Sequence, residues 1–441
     1  MFSPLRNPAY RRLFLAQVAA LLGTGLATVA LGLLAHKLAG ASAGEVLGTA
    51  LAIKMVAYVL AAPFASALAA RLPRKTLLVS LDLVRAGIAI CLPFVGEAWQ
   101  VYALMTVLYV ASAAFTPAFQ AMIPDLLPDE RDYTKALSLS RLAADLESIA
   151  SPTLAAVLLL VMPFSDLFGG TALGFVLSAG LVLSAALPTL TVNRPKPFLQ
   201  RLTAGLRLFA HTPRLRGLLA ISMTTAAGGA MVFVNTVVLV QSGFGLGERE
   251  TAWALGAFGL GSIVAAALLA RLAERAGDRS TMLTGAGIMT AGLFAGPILA
   301  ASYPGLLALW VVVGFGYSLT ITPSGRTLRR SAHPDDRPAL FAAQFALSHA
   351  CWLLAYPLAG FVSAGAGTGV AFLGLATLSL GGVLVALLIW PARDPEVIAH
   401  SHADLSPDDP HRIDALGAAA RHAHAYVIDD HHRRWPKPGR P

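Results

Sequence analysis

With 441 residues, 56% of them hydrophobic and 13% charged, the chain has too little polar surface for a soluble fold, in which about a quarter of residues carry charge. Its formal net charge of +9 does not point to nucleic acid, because Lys and Arg gather in short segments between apolar runs, the pattern of a polytopic membrane protein. The two cysteines, Cys91 and Cys351, both lie inside apolar runs and support neither a disulfide framework nor a paired-cysteine metal site.

Apolar runs of roughly 20 residues, enough to cross about 30 Å of hydrocarbon, predict twelve helices. Six fall near 13–35, 45–70, 76–96, 99–121, 136–162 and 168–190. Six more follow near 214–240, 248–271, 280–301, 304–325, 338–363 and 366–391. Arg11 and Arg12 precede a first run too long for a signal-peptide core, so it reads as a span. The chain thus divides into a six-helix bundle over 1–190, a linker over 191–213, a second bundle over 214–391 and a His-rich tail over 392–441, expected to be disordered. Placing the termini and the even-to-odd loops on one side gives that side 28 of the 33 Lys and Arg, leaves the other Lys37 and Arg249, and puts Lys54, Arg85 and Arg141 inside spans. Both termini are therefore expected in the cytoplasm, with the protein in the inner membrane. In the linker, Phe198, Leu202, Leu206 and Phe209 share one helical face, which predicts a short helix on the membrane surface, with a plain basic linker as the alternative.

The two halves match at a nearly constant offset. Arg71 pairs with Arg275 and Lys75 with Arg279 after spans 2 and 8. Thr116-Pro117 pairs with Thr322-Pro323, Pro128-Asp129-Glu130-Arg131 with Pro334-Asp335-Asp336-Arg337, and Pro152 with Pro357. Anchors in the same order, drifting by two residues, mark a six-plus-six duplication. Such halves can rock against each other and expose a midplane site to each side in turn.

The segment Ser66-Ala-Leu-Ala-Ala-Arg-Leu-Pro-Arg-Lys75 resembles the loop 2–3 motif of the major facilitator superfamily, G-x-L-A-D-R-x-G-R-K/R. A second copy reads Ala270-Arg-Leu-Ala-Glu-Arg-Ala-Gly-Asp-Arg279. The first copy has Ala70 where the acid belongs and Pro73 for Gly; the second keeps an acid as Glu274. The resemblance implies an all-α membrane fold of two pseudo-symmetric six-helix bundles. It also implies that Arg71, Arg74, Lys75, Glu274, Arg275 and Arg279 pair with neighbouring helix ends and help to latch one conformation. Ser151-Pro-Thr-Leu-Ala-Ala156 resembles the family's antiporter motif, G-P-x-x-G-G, and implies export, with Pro152 as its bend.

Ionisable groups inside a span are functional candidates by default. Asp82 and Arg85 share a face of span 3; Arg141 and Asp145 share a face of span 5, with Glu147 nearly opposite. They form either a proton-coupling network, with Glu147 or Asp82 as carrier, or a salt-bridge cluster that fastens the two spans. Lys54 either contacts an anionic group or snorkels outward, and His349 either titrates or packs. Gln17, Asn235, Gln344 and Tyr317 can line a central cavity.

After Pro391 the composition changes: seven of the 11 histidines lie between 400 and 432, among six aspartates. His400, His402, Asp404, His411, His422, His424, His431 and His432 combine imidazole and carboxylate in a pattern that suits Ni, Co or Zn, and the tail is similar to those of some metal exporters of the superfamily. The alternative is a polar tail with incidental affinity. No phosphate loop or zinc-protease helix occurs, which disfavours an ATP-driven pump or a metalloprotease, and the chain is expected not to be an enzyme. The expectation is a secondary transporter without a required cofactor, monomeric, moving divalent cations or else hydrophobic drugs or siderophores. A metal sensor that does not transport is the competing class.

Overall fold

The computed structural model describes residues 3–69, 73–120, 122–186, 198–333, 336–395, 397–401, 421–428, 432 and 435–436. Twelve long helices organise it. The first half contains α1 (Pro8–Ala39), α2 (Ala43–Ala69), α3 (Arg74–Cys91), α4 (Ala98–Gln120), α5 (Glu130–Leu158) and α6 (Phe164–Ser184). The second contains α7 (Pro213–Val237, extended by a π turn through Gly243), α8 (248–276), α9 (Gly277–Leu299), α10 (Tyr303–Ile321), α11 (Arg337–Ala366) and α12 (Thr368–Ile389). Among the described residues, eleven of these are long and apolar enough to cross a membrane; α5 carries the charges that set it apart.

Local chemistry fixes several boundaries. Asn7 caps α1 by accepting hydrogen bonds from the backbone N–H groups of Ala9 (2.9 Å) and Tyr10 (3.2 Å), with Pro8 at the first helical position. Asp129 caps α5 through the Asp132 N–H at 3.0 Å, and Ser302 caps α10 through Gly305 at 3.3 Å. Between α8 and α9 the backbone leaves the helical conformation at Gly277, whose φ of 73° lies in a region open to glycine and costly for other residues.

The helices pack twice in the same pattern. In the first half α1 packs on α6, α3 on α6 and α2 on α4; in the second α7 packs on α12, α9 on α12 and α8 on α10. The halves meet through α2 against α11 and α5 against α8, pairs that exchange under a pseudo-two-fold axis. The duplication read from sequence offsets is thus a duplication of packing.

Two expectations are modified. The linker does form a helix, Phe198–His211; of its expected apolar face Phe209 is buried and Leu206 is 37% exposed, while the side chains of Phe198 and Leu202 lie outside the described residues. The helix packs on α11 and α7, so a protein surface covers its inner face. The tail is also ordered in part. Strand β1 (Val397–Ser401) pairs antiparallel with β2 (Arg421–Ala425). Beyond β2, Tyr426 and Ile428 are buried, and together with Trp435 they pack against Leu208, Phe209, Leu215 and Trp390. Apolar side chains in an otherwise polar tail are what bring it back to the bundle.

Candidate functional site

At the end of the bundle that carries both termini, each half holds its own helix ends. Lys75, in the first turn of α3, donates from Nζ to the Ala185 carbonyl oxygen beyond α6 at 3.1 Å. Arg279, in the first turn of α9, donates from Nε to the Trp390 carbonyl oxygen beyond α12 at 2.9 Å. The donors are related by the sequence repeat and their acceptors are too. A cation at a helix C-terminus satisfies orphan carbonyls and complements the dipole. Lys75→Ala and Arg279→Ala should each lower stability by about 0.5–1 kcal/mol, additively in the double variant because the sites are remote; thermal unfolding in detergent checks this.

The second half adds a knot. Asp394, just past α12, pairs with Arg330 and, at 3.5 Å, with the buried Arg214 of α7, and it accepts a hydrogen bond from Trp390 Nε1 at 3.1 Å. The Arg214 guanidinium also lies 4.7 Å from the centre of the Trp435 ring. Nothing in the sequence pattern signals this pairing of residues so far apart.

At the opposite end the halves close on each other without ion pairs among the described residues. Gly44 and Gly48 of α2 face Gly360 of α11, so closely that a side chain on Gly360 would strike the Gly44 carbonyl and one on Gly48 would come within 2.9 Å of the Tyr356 carbonyl. Glycines here allow backbone-to-backbone contact. Ala156 of α5 approaches Gly256 of α8 at the same level. Asn235, expected in a cavity, is fully buried behind this seam and donates to the Ala359 carbonyl at 3.1 Å.

Between the two ends the interface is aromatic. Tyr58 of α2 stacks on Phe345 of α11 at 5.8 Å and meets His349 at 5.2 Å, while His349 lies 3.9 Å from the Phe345 ring. Lys54 Nζ sits 5.8 Å from the ring centres of both Tyr58 and Tyr109. Beyond them Phe233, Phe258, Tyr317 and Trp352 form a continuous aromatic packing. Tyr317 is therefore a core residue, not an open cavity wall. Gln344 is buried and donates to Ser222 Oγ at 3.4 Å.

A cleft in the first half is lined by Gln17, Thr24, Tyr58, Arg85, Ser112, Phe115 and Phe119. Arg85 is ion-paired with Asp82 on its own helix, and both are buried. The side chains of Arg74, Arg141, Asp145, Glu147, Pro152, Glu274 and Arg275, and all of Arg71, lie outside the described residues. In the tail, His402, Asp404, His411 and His431 lie outside them too, as do the side chains of His400 and His422. The described His424 and His432 rings lie 5.1 Å apart beside Tyr426. Among the described residues no three His, Cys, Asp or Glu side chains are grouped to hold a metal.

Comparison with known proteins follows the same lines. The family model for the Major Facilitator Superfamily matches residues 13–247 and again 218–425. The uncharacterized MFS-type transporter YfiS of Bacillus subtilis is 24% identical over 328 residues, 70% of this chain and 76% of that protein. Macrolide efflux protein A of Enterococcus faecalis is 26% identical over 188 residues, 40% of this chain and 58% of that protein. Among solved structures, the nucleoside transporter NupG superposes with a TM-score of 0.65 at 12% identity, covering 87% of this chain and 100% of that one. The human organic anion transporter MFSD10 (TETRAN) does so with 0.62 at 15%, covering 86% and 98%.

Proposed function

The chain belongs to the Major Facilitator Superfamily, and from that premise we propose that it exports amphipathic organic molecules by alternating access, driven by an ion gradient. The observation that carries this reading is the aromatic wall of Tyr58, Phe345 and His349 where the halves meet. Ring faces in an apolar setting bind flat or greasy ligands through dispersion and burial, and they offer little to a small hydrated cation. The partial likeness to a macrolide efflux protein supports export of such compounds. Orientation rests on the excess of Lys and Arg beside the termini: termini in the cytoplasm, the glycine seam on the outer side, a monomer in the inner membrane. Inverted vesicles should accumulate a radiolabelled macrolide under an imposed proton gradient and lose it on adding a protonophore. Accumulation of Ni²⁺ instead, with no macrolide uptake, sinks the proposal, and no uptake of either would favour a sensor.

A second reading, export of Ni, Co or Zn, has one observation behind it. The strand register sets His400 opposite His422, which brings two imidazole-bearing positions together across the ribbon. Deleting residues 395–441 should then lower tolerance to these ions. Unchanged tolerance returns the tail to a packing role.

A further inference from the structure

Gln17 lies about 14 Å along α1 from its start at Pro8, close to the middle of a hydrocarbon layer about 30 Å thick. A carboxamide at that depth is costly unless its oxygen and its N–H groups are bonded. Yet Gln17 Oε1 is buried and, among the described residues, finds no donor. The second half treats the same position differently. Ser222 holds the place of Gln17 in α7, at the offset that also pairs Gly40 with Gly245 just past the two helices. Ser222 Oγ accepts from the Gln344 carboxamide at 3.4 Å and donates to the Leu218 carbonyl at 3.0 Å. There the polar group is spent within the protein; in the first half it is left open.

The cleft that Gln17 lines has a definite chemistry. Thr24 gives its hydroxyl proton to the Ala20 carbonyl at 2.9 Å, and Ser112 gives its own to the Leu108 carbonyl at 2.9 Å. Both hydroxyls therefore present oxygen lone pairs to a guest. Together with Gln17 Oε1 they make three acceptors in one cleft, which call for a ligand that brings an N–H or O–H. Arg85 is the one charged residue in the described lining. It is ion-paired with Asp82, and its guanidinium packs on the rings of Phe115 and Phe175, 4.4 and 4.5 Å from their centres. The described lining thus carries no unbalanced charge, which favours a neutral ligand. Tyr58 and Phe115 add ring surface to the same walls, and ring surface favours a flat one.

We propose that Gln17 is a specificity-determining residue of this cleft, and that it selects neutral, flat organic molecules carrying a lactam edge, a ring N–H beside a C=O. The lactam N–H donates to Gln17 Oε1 while the lactam oxygen accepts from Gln17 Nε2, so one amide edge is matched by another. The rest of the ring lies against Tyr58 and Phe115. An N-alkylated analogue of the same shape would bury the Gln17 oxygen without a donor, and a site built for hydrogen bonding discriminates most strongly against that mismatch. The proposal rests on the export of organic molecules inferred above and narrows which of them the cleft favours.

The test uses the purified full-length chain in lipid nanodiscs and two tritiated probes, 6-hexyl-2-quinolone and its N-methyl counterpart. They share ring and tail, and only the first has the lactam N–H. Wild type is expected to bind the N–H probe at least about tenfold more tightly. Gln17→Met, close in size but without an amide, should bring the two affinities within about twofold of each other. Gln17→Asn keeps the amide on a shorter stem and should lower the preference without abolishing it. Equal binding of both probes by wild type, binding of neither, or a full preference in Gln17→Met overturns the proposal. Should Gln17→Met fail to fold, an undiminished preference in Gln17→Asn overturns it equally. Probe binding is read without gradient or turnover, so a failure of vesicles to accumulate substrate would sink the export reading alone and leave the assignment of Gln17 to be decided here.

Discussion

Replacing Gly360 by leucine should abolish transport while leaving a folded, membrane-inserted protein. At this point α11 lies against Gly44 and Gly48 of α2 so closely that even a Cβ would meet backbone, and backbone cannot swing aside as a long side chain can. Each half has a core cluster of its own away from the seam, so the substitution leaves both bundles intact and forces apart only their outer seam. The expected result is a protein held open on that side. It should show cysteines introduced along α2 and α11 becoming reactive to impermeant thiol reagents from outside, with substrate turnover lost. Gly360→Ala should retain partial function, since one methyl group asks for a smaller displacement. Full transport by the leucine variant would mean that the seam is not a closed state the cycle must pass through.

Replacing Asp394 by alanine should be the costliest single change at the other end of the bundle, about 3 kcal/mol. One carboxylate serves Arg330, the buried Arg214 and the Trp390 indole, and removing it takes a counter-charge from a guanidinium that has no water around it. Asp394→Asn should recover part of the loss, because an amide oxygen still accepts from Trp390 Nε1. Thermal unfolding in detergent separates the two variants: alanine should melt well below asparagine, and asparagine below wild type. Equal melting would mean that Arg214 draws its compensation elsewhere.

Much of the architecture was legible because membrane helices announce themselves by length and the duplication by spacing. The offset that paired Lys75 with Arg279 led to two matching hydrogen bonds, on the carbonyls of Ala185 and Trp390. Asp82 and Arg85 were visible as a same-face pair because three residues make nearly one helical turn. Their setting was not, since Phe115 and Phe175 come from other helices and no local period predicts which rings meet. The Arg214–Asp394 pair was invisible for the same reason. The tail misled differently. Its histidines and aspartates suggested a solvated segment, whereas Arg421-His-Ala-His-Ala425, followed by Tyr426, Val427 and Ile428, alternates as a strand does and then supplies an apolar anchor. For Leu206 the helical period was right, but only the position of α11 decides which stripe is covered.

The contrast between the two ends of the bundle has a consequence for energetics in solution. Among the described residues, charged contacts at the terminal end join elements within one half, whereas the seam that must part during a cycle is glycine backbone against backbone. Dissolved ions weaken attraction between exposed charges beyond about 10 Å at moderate ionic strength, but they do little to apolar contact. Added salt should therefore loosen the individual bundles slightly and leave the balance between their two relative orientations almost where it was.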